Sequence, residues 1–222
     1  MKLALFDLDG TLLPGDSDHA FGEYMVEIGW VDGDAWRARN DAFYAQYQSG
    51  TLVLAEYLDF ATSAWRDRPA KEAEHVQADF MRQIIAPQLH ASARELVEAH
   101  QQAGDLVAIV TATNEFVTRP IAAAFGVEHL LAVELERDDN GRVTGRPRGV
   151  PTFREGKVTR VEAWLAALGQ SWSNFDDVLF YSDSTNDLPL LERVKTPVAT
   201  NPTPALDAIA RERGWRILRL FP

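Results

Sequence analysis

The pattern of apolar and polar positions changes twice along the chain. Residues 3–8 form a short apolar run that is typical of a buried parallel strand. Residues 16–88 show helical periodicity without a strand-like run, and they predict helices over 18–28, 34–48, 53–64 and 69–85. From residue 91 onward, apolar runs alternate with helical patterns, as in a doubly wound parallel sheet. A helical block therefore interrupts an α/β domain after its first strand.

The alternating part of the chain predicts the remainder of the sheet domain. Its predicted helices cover 91–103, 115–125, 157–168, 187–193 and 204–213, and its predicted strands cover 106–110, 178–181, 195–199 and 215–218. Residues 132–144, with Asp138-Asp139-Asn140-Gly141 as the turn, predict a β-hairpin. We therefore predict an α/β fold in which a Rossmann-like, doubly wound core domain of residues 1–15 and 89–222 carries an inserted α-helical domain of residues 16–88.

Two aspartates one residue apart, Asp7 and Asp9, follow the first apolar run, and Gly10 allows a sharp turn after them. In open α/β sheets, ligands bind beyond the carboxyl ends of the strands. Two carboxylates this close repel each other unless a cation or a proton lies between them. The pair suits a nucleophile toward phosphorus, a proton donor and acceptor, and a hard cation such as Mg²⁺. The alternative is an Asp-Gly turn with two solvated acids.

Three later segments carry the partners that a phosphoryl-transfer site needs. Thr111 follows an apolar strand and precedes residues typical of a helix start, whose amides attract phosphate. Lys157 lies at the start of an amphipathic helix, and Asp183 and Asp187 follow another apolar strand. Asp183 could hold a metal that Asp187 binds or orients. Each segment alone has a simpler interpretation, a helix cap or a solvated charge, but their combination favours a phosphoryl-transfer site.

These four motifs, in this order, resemble the haloacid dehalogenase superfamily of phosphohydrolases. The resemblance spans nearly the whole chain and implies that Asp7 is the nucleophile and Asp9 the general acid and then base. It implies that Thr111 and Lys157 hold the phosphoryl oxygens, with Mg²⁺ among Asp7, the Asp9 backbone carbonyl and Asp183. The implied metal site comprises Asp7, Asp9, Asp183 and Asp187, and the implied substrate contacts are Asp16, Thr111, Ala112, Asn186 and Lys157.

The helical insertion resembles the cap of the phosphoserine-phosphatase-like subgroup, which closes over the site and selects the substrate. In phosphoserine phosphatases a Glu nine residues after the nucleophile binds the substrate amine, and that position is Asp16 here. Their carboxylate-binding Arg lies eleven residues after a cap glycine, which corresponds to Gly50, and that offset falls on Ala61. Arg66 or Arg68 could replace it from a shifted helix. An amine partner without a carboxylate partner favours an amino phosphate such as histidinol phosphate over phosphoserine.

Composition excludes several classes of function. The 222 residues carry a net charge of −11 without a basic run, which argues against a nucleic acid or an anionic membrane as partner. The absence of cysteine excludes a disulfide framework and thiol chemistry. No stretch approaches the roughly 18 apolar residues of a membrane helix, and the amino terminus does not resemble a signal peptide. We expect a cytoplasmic protein with a small phosphorylated metabolite as its partner; the sequence does not indicate an oligomeric state.

The sequence thus predicts a Mg²⁺-dependent phosphomonoester hydrolase that acts through an aspartyl-phosphate on a small phosphometabolite. One alternative is a phosphotransferase or mutase of the same fold, which passes the phosphoryl group to a second hydroxyl. Another is a non-catalytic phosphometabolite-binding protein, although a pure binder needs no nucleophile. A dehalogenase is a third, but those relatives lack the Mg²⁺ site and an acid equivalent to Asp9.

Overall fold

A computed structural model describes residues 1–221. It contains a six-stranded parallel sheet with the order β3-β2-β1-β6-β7-β8, and a separate antiparallel pair, β4 and β5. The strands are β1 Leu3–Phe6, β2 Leu106–Asn114, β3 His129–Val133, β4 Leu135–Arg137, β5 Val143–Pro147, β6 Val178–Ser182, β7 Thr196–Thr200 and β8 Arg216–Leu218.

Nine α-helices are present within residues 1–221, and they follow the predicted helical pattern closely. They are α1 Ser17–Glu27, α2 Gly33–Ser49, α3 Leu54–Ser63, α4 Ala70–Phe80, α5 Ala91–Gln102, α6 Glu115–Ala124, α7 Glu155–Ala167, α8 Leu188–Arg193 and α9 Pro204–Arg213. Short 3₁₀ turns cover Ala86–Gln88, Trp172–Asn174 and Thr185–Asp187. None of these helices is long and apolar enough to cross a membrane.

Helices cover both faces of the sheet because successive strand residues point in opposite directions. Ala4 and Phe6 of β1 belong to an apolar cluster that includes residues of α5 and α6. Leu3 and Leu5 belong to a second cluster, which includes residues of α7, α8 and α9. The central strand is therefore buried on both sides, as its continuous apolar sequence predicts.

The helix predicted over residues 69–85 does not remain α-helical to its end. After α4 the backbone widens into a π turn, Met81–Ile85, and then tightens into the 3₁₀ turn that contains Pro87. Proline has no amide hydrogen to donate into the preceding turn, which accounts for the loss of regular α-helical bonding before it.

The predicted hairpin over residues 132–144 is partly wrong. Residues 129–133 form β3, the edge strand that pairs in parallel with β2, and the hairpin consists of β4 and β5. The apolar run continues through both strands, so its pattern does not reveal where the chain leaves the main sheet. The turn itself is where we predict it, since Asp138 accepts hydrogen bonds from the amides of Asn140 and Arg142 and Gly141 has a φ of 77°.

Candidate active site

Three neighbouring strands bring the predicted motifs together. β1 lies between β2 and β6, and all three run in the same direction. Asp7 follows the end of β1, Asp183 follows the end of β6, and Thr111 lies in the last half of β2. The backbone amide of Asp7 donates to the Tyr181 carbonyl at 2.9 Å, which fixes the loop after β1 against β6. Segments far apart in sequence thus meet where open α/β sheets bind their ligands.

Lys157, in the first turn of α7, joins two of the acids. Its Nζ donates to Asp7 Oδ1 at 2.9 Å and lies 2.7 Å from Asp187 Oδ1, and the Ser182 hydroxyl donates to Asp187 Oδ2 at 2.8 Å. The lysine is 1% exposed. Burial alone would lower its pKa, but the charges of Asp187 and Asp7 outweigh burial and raise the pKa. Asp187, a predicted metal ligand, therefore has protein partners for both carboxylate oxygens.

Negative charge exceeds positive charge around the strand ends. Burial, reinforced by the charges of Asp7 and Asp187, raises the pKa of Asp183 well above its ordinary value. Oδ2 of Asp7 is buried without a hydrogen-bond partner. A hard divalent cation such as Mg²⁺ prefers carboxylate oxygens of this kind and would offset the surplus charge. The donor set therefore fits a Mg²⁺ ion.

Gly10 permits the close approach of the loop after Asp9 to Asp183. Its φ of 74° lies in the left-handed region, and a Cβ atom at this position would lie 2.4 Å from Asp183 Oδ2. The Thr11 hydroxyl donates to Asp183 Oδ1 at 3.4 Å. Any larger residue at position 10 would therefore displace the Asp183 carboxylate.

Asp9 is fixed by two donors from different parts of the chain. The Ser17 amide donates to its Oδ1 at 2.7 Å, and the Thr113 hydroxyl donates to its Oδ2 at 2.8 Å. Burial, with the charge of Asp16 adding to it, raises the pKa of Asp9 to about 7. The sequence interpretation missed Thr113, because it ends the strand at Val110 whereas β2 extends to Asn114. The register of β2 shifts between Val110 and Asn114, and Thr111, Ala112 and Thr113 all line the same cavity.

Two further acids reach the site from α1, on the helical side. Asp16 is the N-cap of α1, and its Oδ1 accepts the amides of Asp18 and His19 at 3.0 Å and 2.8 Å. Asp18 accepts a hydrogen bond from Asn114 Nδ2 at 3.1 Å, and burial is the main cause of a pKa raised to about 7. Asn186, a predicted substrate contact, donates to the Tyr47 carbonyl of α2 at 2.9 Å. Neither Asp18 nor Asn114, which donates to it, was a predicted site residue.

The loop after β1, the end of β2 and the helices of residues 17–63 border one cavity. The predicted site residues Lys157, Asp183, Asn186 and Asp187 lie outside its lining. The lining residues are Asp7, Asp9, Asp16, Asp18, His19, Asn40, Phe43, Tyr44, Tyr47, Leu52, Leu54, Tyr57, Thr111, Ala112, Thr113 and Phe153. Among the residues that the structure describes, neither a lysine nor an arginine lines it. Arg66 donates to Asp59 and Thr62, and Arg68 lies over the Trp30 ring, so both predicted substitutes for the missing arginine are engaged elsewhere.

The chain matches known proteins over most of its length. The model of the haloacid dehalogenase-like hydrolase family matches residues 4–192. The histidinol-phosphatase of Neisseria meningitidis serogroup C (strain 8013) is 40% identical over 217 residues, which cover 98% of both chains. A crystal structure of a protein of unknown function from Bordetella pertussis Tohama I is 47% identical, with a TM-score of 0.94 over 99% of both chains.

A substrate-bound phosphoserine phosphatase is similar in fold, with a TM-score of 0.69 at 18% identity over 98% of this chain and 92% of that one. Fold and matched sequence together define the class: the chain belongs to the haloacid dehalogenase-like hydrolase family. Within that family it is a phosphatase, and its fold is that of phosphoserine phosphatases. The predicted family, fold class and type of enzyme are thus confirmed.

Proposed function

We propose that the protein is a Mg²⁺-dependent phosphomonoester hydrolase for a small amino phosphate without a carboxylate, with histidinol phosphate as the first candidate. The observation that carries this proposal is the composition of the cavity. Acids and aromatic side chains line the space beside Asp7 and Asp9, and no lysine or arginine of residues 1–221 does so. The carboxylate of phosphoserine would lie next to like charges there, whereas an ammonium group would be attracted.

The first chemical step requires an ionised Asp7 with one free oxygen. Lys157 holds Oδ1, and Oδ2 has no partner, so Oδ2 is the oxygen aimed at phosphorus. The new bond joins Oδ2 to phosphorus while the bond between phosphorus and the ester oxygen breaks. Asp9, in its protonated form, gives its proton to the leaving alcohol. The product of this step is an aspartyl-phosphate on Asp7.

The second step reverses the role of Asp9. The ionised carboxylate takes a proton from a water molecule, whose oxygen attacks phosphorus and releases inorganic phosphate and free Asp7. Hydrogen bonds from Ser17 and Thr113 fix the orientation of Asp9 in both steps. Thr111 and Ala112 line the cavity beside these acids. We propose that they contact the phosphoryl oxygens, and that Lys157 binds one of those oxygens from beside Asp7.

Asp7, the backbone carbonyl of Asp9 and Asp183 supply the oxygen donors that would hold Mg²⁺. Asp187, which pairs with Lys157, would orient these donors. A bound Mg²⁺ would offset the charge of the transferring phosphoryl group. Burial and the charges of neighbouring acids raise the pKa of Asp7 and of Asp183. A cation held by these carboxylates would favour their ionised forms.

We propose that residues 16–88 form the cap domain and that the core comprises residues 1–15 and 89–222. Helices α1, α2 and α3 supply the wall of the cavity opposite the strand ends. Asn186 of the core donates to the Tyr47 carbonyl, so one of the motif residues also contacts this wall. The name of the Neisseria relative supports the same substrate, because histidinol phosphate combines an amine and a ring without a carboxylate.

The experiment is a phosphatase screen of the purified protein with Mg²⁺. Histidinol phosphate, phosphoserine, phosphoethanolamine, sugar phosphates and nucleotides are compared by released inorganic phosphate and by phosphate transferred to added alcohols. We expect kcat/KM for histidinol phosphate to exceed that for phosphoserine by at least about 10-fold, which corresponds to about 1.4 kcal/mol. A preference for phosphoserine or for an uncharged sugar phosphate would refute the substrate class. Predominant transfer to alcohols would replace hydrolase by phosphotransferase.

A further inference from the structure

We infer that Asp18, and not the motif position Asp16, is the specificity residue that pairs with the ammonium group of the substrate. This inference rests on the proposed function and assigns a residue to its amine recognition. It contradicts the offset argument from the sequence, which selects Asp16. Both acids border the same cavity, so their hydrogen bonds decide between them.

The carboxylate of Asp18 is buried but only half satisfied. The residue is 6% exposed, and Asn114 Nδ2 donates to its Oδ1 at 3.1 Å. Oδ2 has no hydrogen-bond partner and is out of contact with solvent. A buried carboxylate oxygen in this situation destabilises the protein by itself, since it has lost hydration without gaining a partner. A ligand that brings an N–H⁺ group to Oδ2 would remove that penalty.

Asp16 has no comparable need for a ligand. Its Oδ1 accepts two backbone amides at the start of α1, those of Asp18 and His19. The positive end of the helix dipole also lies at this terminus and favours the charged form. Asp16 is therefore explained by its function as a helix cap, and the residue remains partly exposed.

Asn114 fixes the direction in which Asp18 points. The Asn114 Oδ1 accepts the amides of Phe116 and Val117 as the N-cap of α6, so its Nδ2 must face the other way, toward Asp18. The side chain of Asp18 is thus anchored to the core although α1 belongs to the helical segment. Asp18, which lines the cavity, is therefore held in one orientation before a ligand binds.

The groups around Asp18 do not include a competing cation among the described residues. The Tyr57 hydroxyl of α3 faces the Asp18 carboxylate and, as a hydrogen-bond donor, lowers its pKa, but it does not complete a well-formed hydrogen bond to Oδ2. His19 is the basic side chain whose charge lowers the pKa of Asp18, and its Nε2 is 2.8 Å from Asp41 Oδ1. Asp9 adds a further negative charge. A primary ammonium group on the leaving alcohol is the ligand that this environment fits.

The test compares two esters of one skeleton, histidinol phosphate and its analogue without the amine, in the wild type and in Asp18→Asn and Asp16→Asn. Asparagine keeps the shape of Asp18 and can still accept from Asn114, and at position 16 it remains a good N-cap. We expect Asp18→Asn to lower the ratio of kcat/KM for the amine-bearing to the amine-free ester by about 10- to 100-fold. We expect Asp16→Asn to change that ratio by less than about threefold.

The outcomes separate this inference from the proposed function. A wild-type ratio near one would refute amine recognition altogether, and with it the proposed substrate class. A wild-type preference that is lost in Asp16→Asn but kept in Asp18→Asn would overturn the assignment to Asp18 while leaving the substrate class intact. Equal losses on both esters in Asp18→Asn would assign it a structural role. Asp18→Ser serves as the second variant, and thermal unfolding checks that each variant is folded.

Discussion

Two groups of acids lie at or beside the cavity, and they differ in what balances their charge. The strand-end group consists of Asp7, Asp183 and Asp187, and Lys157 pairs with two of its three members. The helix group consists of Asp16 and Asp18, whose partners are backbone amides and the uncharged side chain of Asn114. Burial raises the pKa of Asp7, Asp16 and Asp18 alike. Burial thus raises the pKa of acids in both groups, but only the strand-end group pairs with a lysine.

From this difference in counter-charge we assign the reaction to the strand-end group and the choice of substrate to the helix group. Burial raises the pKa of Asp7 to about 7, and Lys157 offsets part of that shift. Because Lys157 belongs to the chain, we expect the strand-end group to act in the same way on any phosphate ester. The helix group has only neutral donors, so a positive charge must come from the leaving group. Electrostatic repulsion would disfavour esters with an anionic leaving group.

The largest effect should follow from removing the nucleophile. Asp7→Asn keeps the shape of the side chain but not its nucleophilic charge, so turnover measured by phosphate release should be abolished on every ester. Asp9→Asn should lower kcat by roughly 10²- to 10⁴-fold, the usual contribution of a general acid and base. Circular dichroism provides the control for folding. Near wild-type phosphate release by Asp7→Asn would eliminate the aspartyl-phosphate mechanism.

Removing the counter-charge of the strand-end group should affect stability as well as activity. Lys157→Met leaves Asp7 and Asp187 buried without their cation, which typically lowers the free energy of unfolding by about 3–5 kcal/mol. Urea unfolding measures the loss. The double variant Lys157→Met with Asp187→Asn is the matched control, since it removes one uncompensated charge and should recover part of the stability. A single variant as stable as the wild type would show that the ion pairs are not coupled to folding.

The strand-end group was predictable because local patterns encode it. An apolar strand followed by Asp7 or Asp183 identifies a strand end from a few residues, and parallel strands bring such ends together. The helix group depends on contacts between distant segments. Asn114 is 96 residues from Asp18, and no local pattern connects them. The sequence interpretation therefore located the acids at the strand ends, but it selected Asp16 for recognition by counting an offset.

The fold likewise has features that local sequence patterns predict and features that depend on contacts between distant segments. The order and type of most helices and strands follow from periodicity, because each amphipathic segment records its own burial. The predicted boundaries that were wrong are those set by contacts with neighbouring strands and turns. β3 takes its place by pairing with β2, and β2 continues to Asn114 because it pairs there with Val133. The π turn after α4 likewise depends on Pro87 and on how the following turn is packed.

A smaller effect should distinguish the two acids of the helix group by stability. Asp16→Ala removes the N-cap of α1 and should lower the free energy of unfolding by about 1 kcal/mol, whereas Asp16→Asn should change it much less. Asp18→Asn should not destabilise the protein, because it neutralises a buried oxygen that has no partner. Urea unfolding of the three variants measures the difference. A marked loss of stability in Asp18→Asn would mean that the charge of Asp18 is compensated within the protein.

The smallest effect concerns Asp105, an acid outside the cavity that has the partners which Asp18 lacks. It lies 2.8 Å from His100 Nδ1 and accepts the Lys2 amide at 2.8 Å. Burial alone would raise its pKa, but the hydrogen bond with His100 and that from Lys2 outweigh burial and lower the pKa from its ordinary value of 3.8. Because the folded-state pKa is the lower one, the ionised carboxylate stabilises the fold at pH values above the unfolded pKa.

That contribution should disappear as the pH falls through the folded-state pKa. Asp105→Asn should therefore be less stable than the wild type at about pH 5, and the difference between them should shrink as the pH approaches about 2.5. Urea unfolding of both proteins across this range gives the difference directly, and acids common to both proteins cancel in the comparison. A difference that stays constant or grows toward low pH would show that Asp105 contributes through its shape and not through its charge. The result would also establish whether hydrogen-bond partners of this kind suffice to keep a half-buried acid ionised. We propose that Asp18, which lacks a partner at Oδ2, needs a cationic ligand for the same effect.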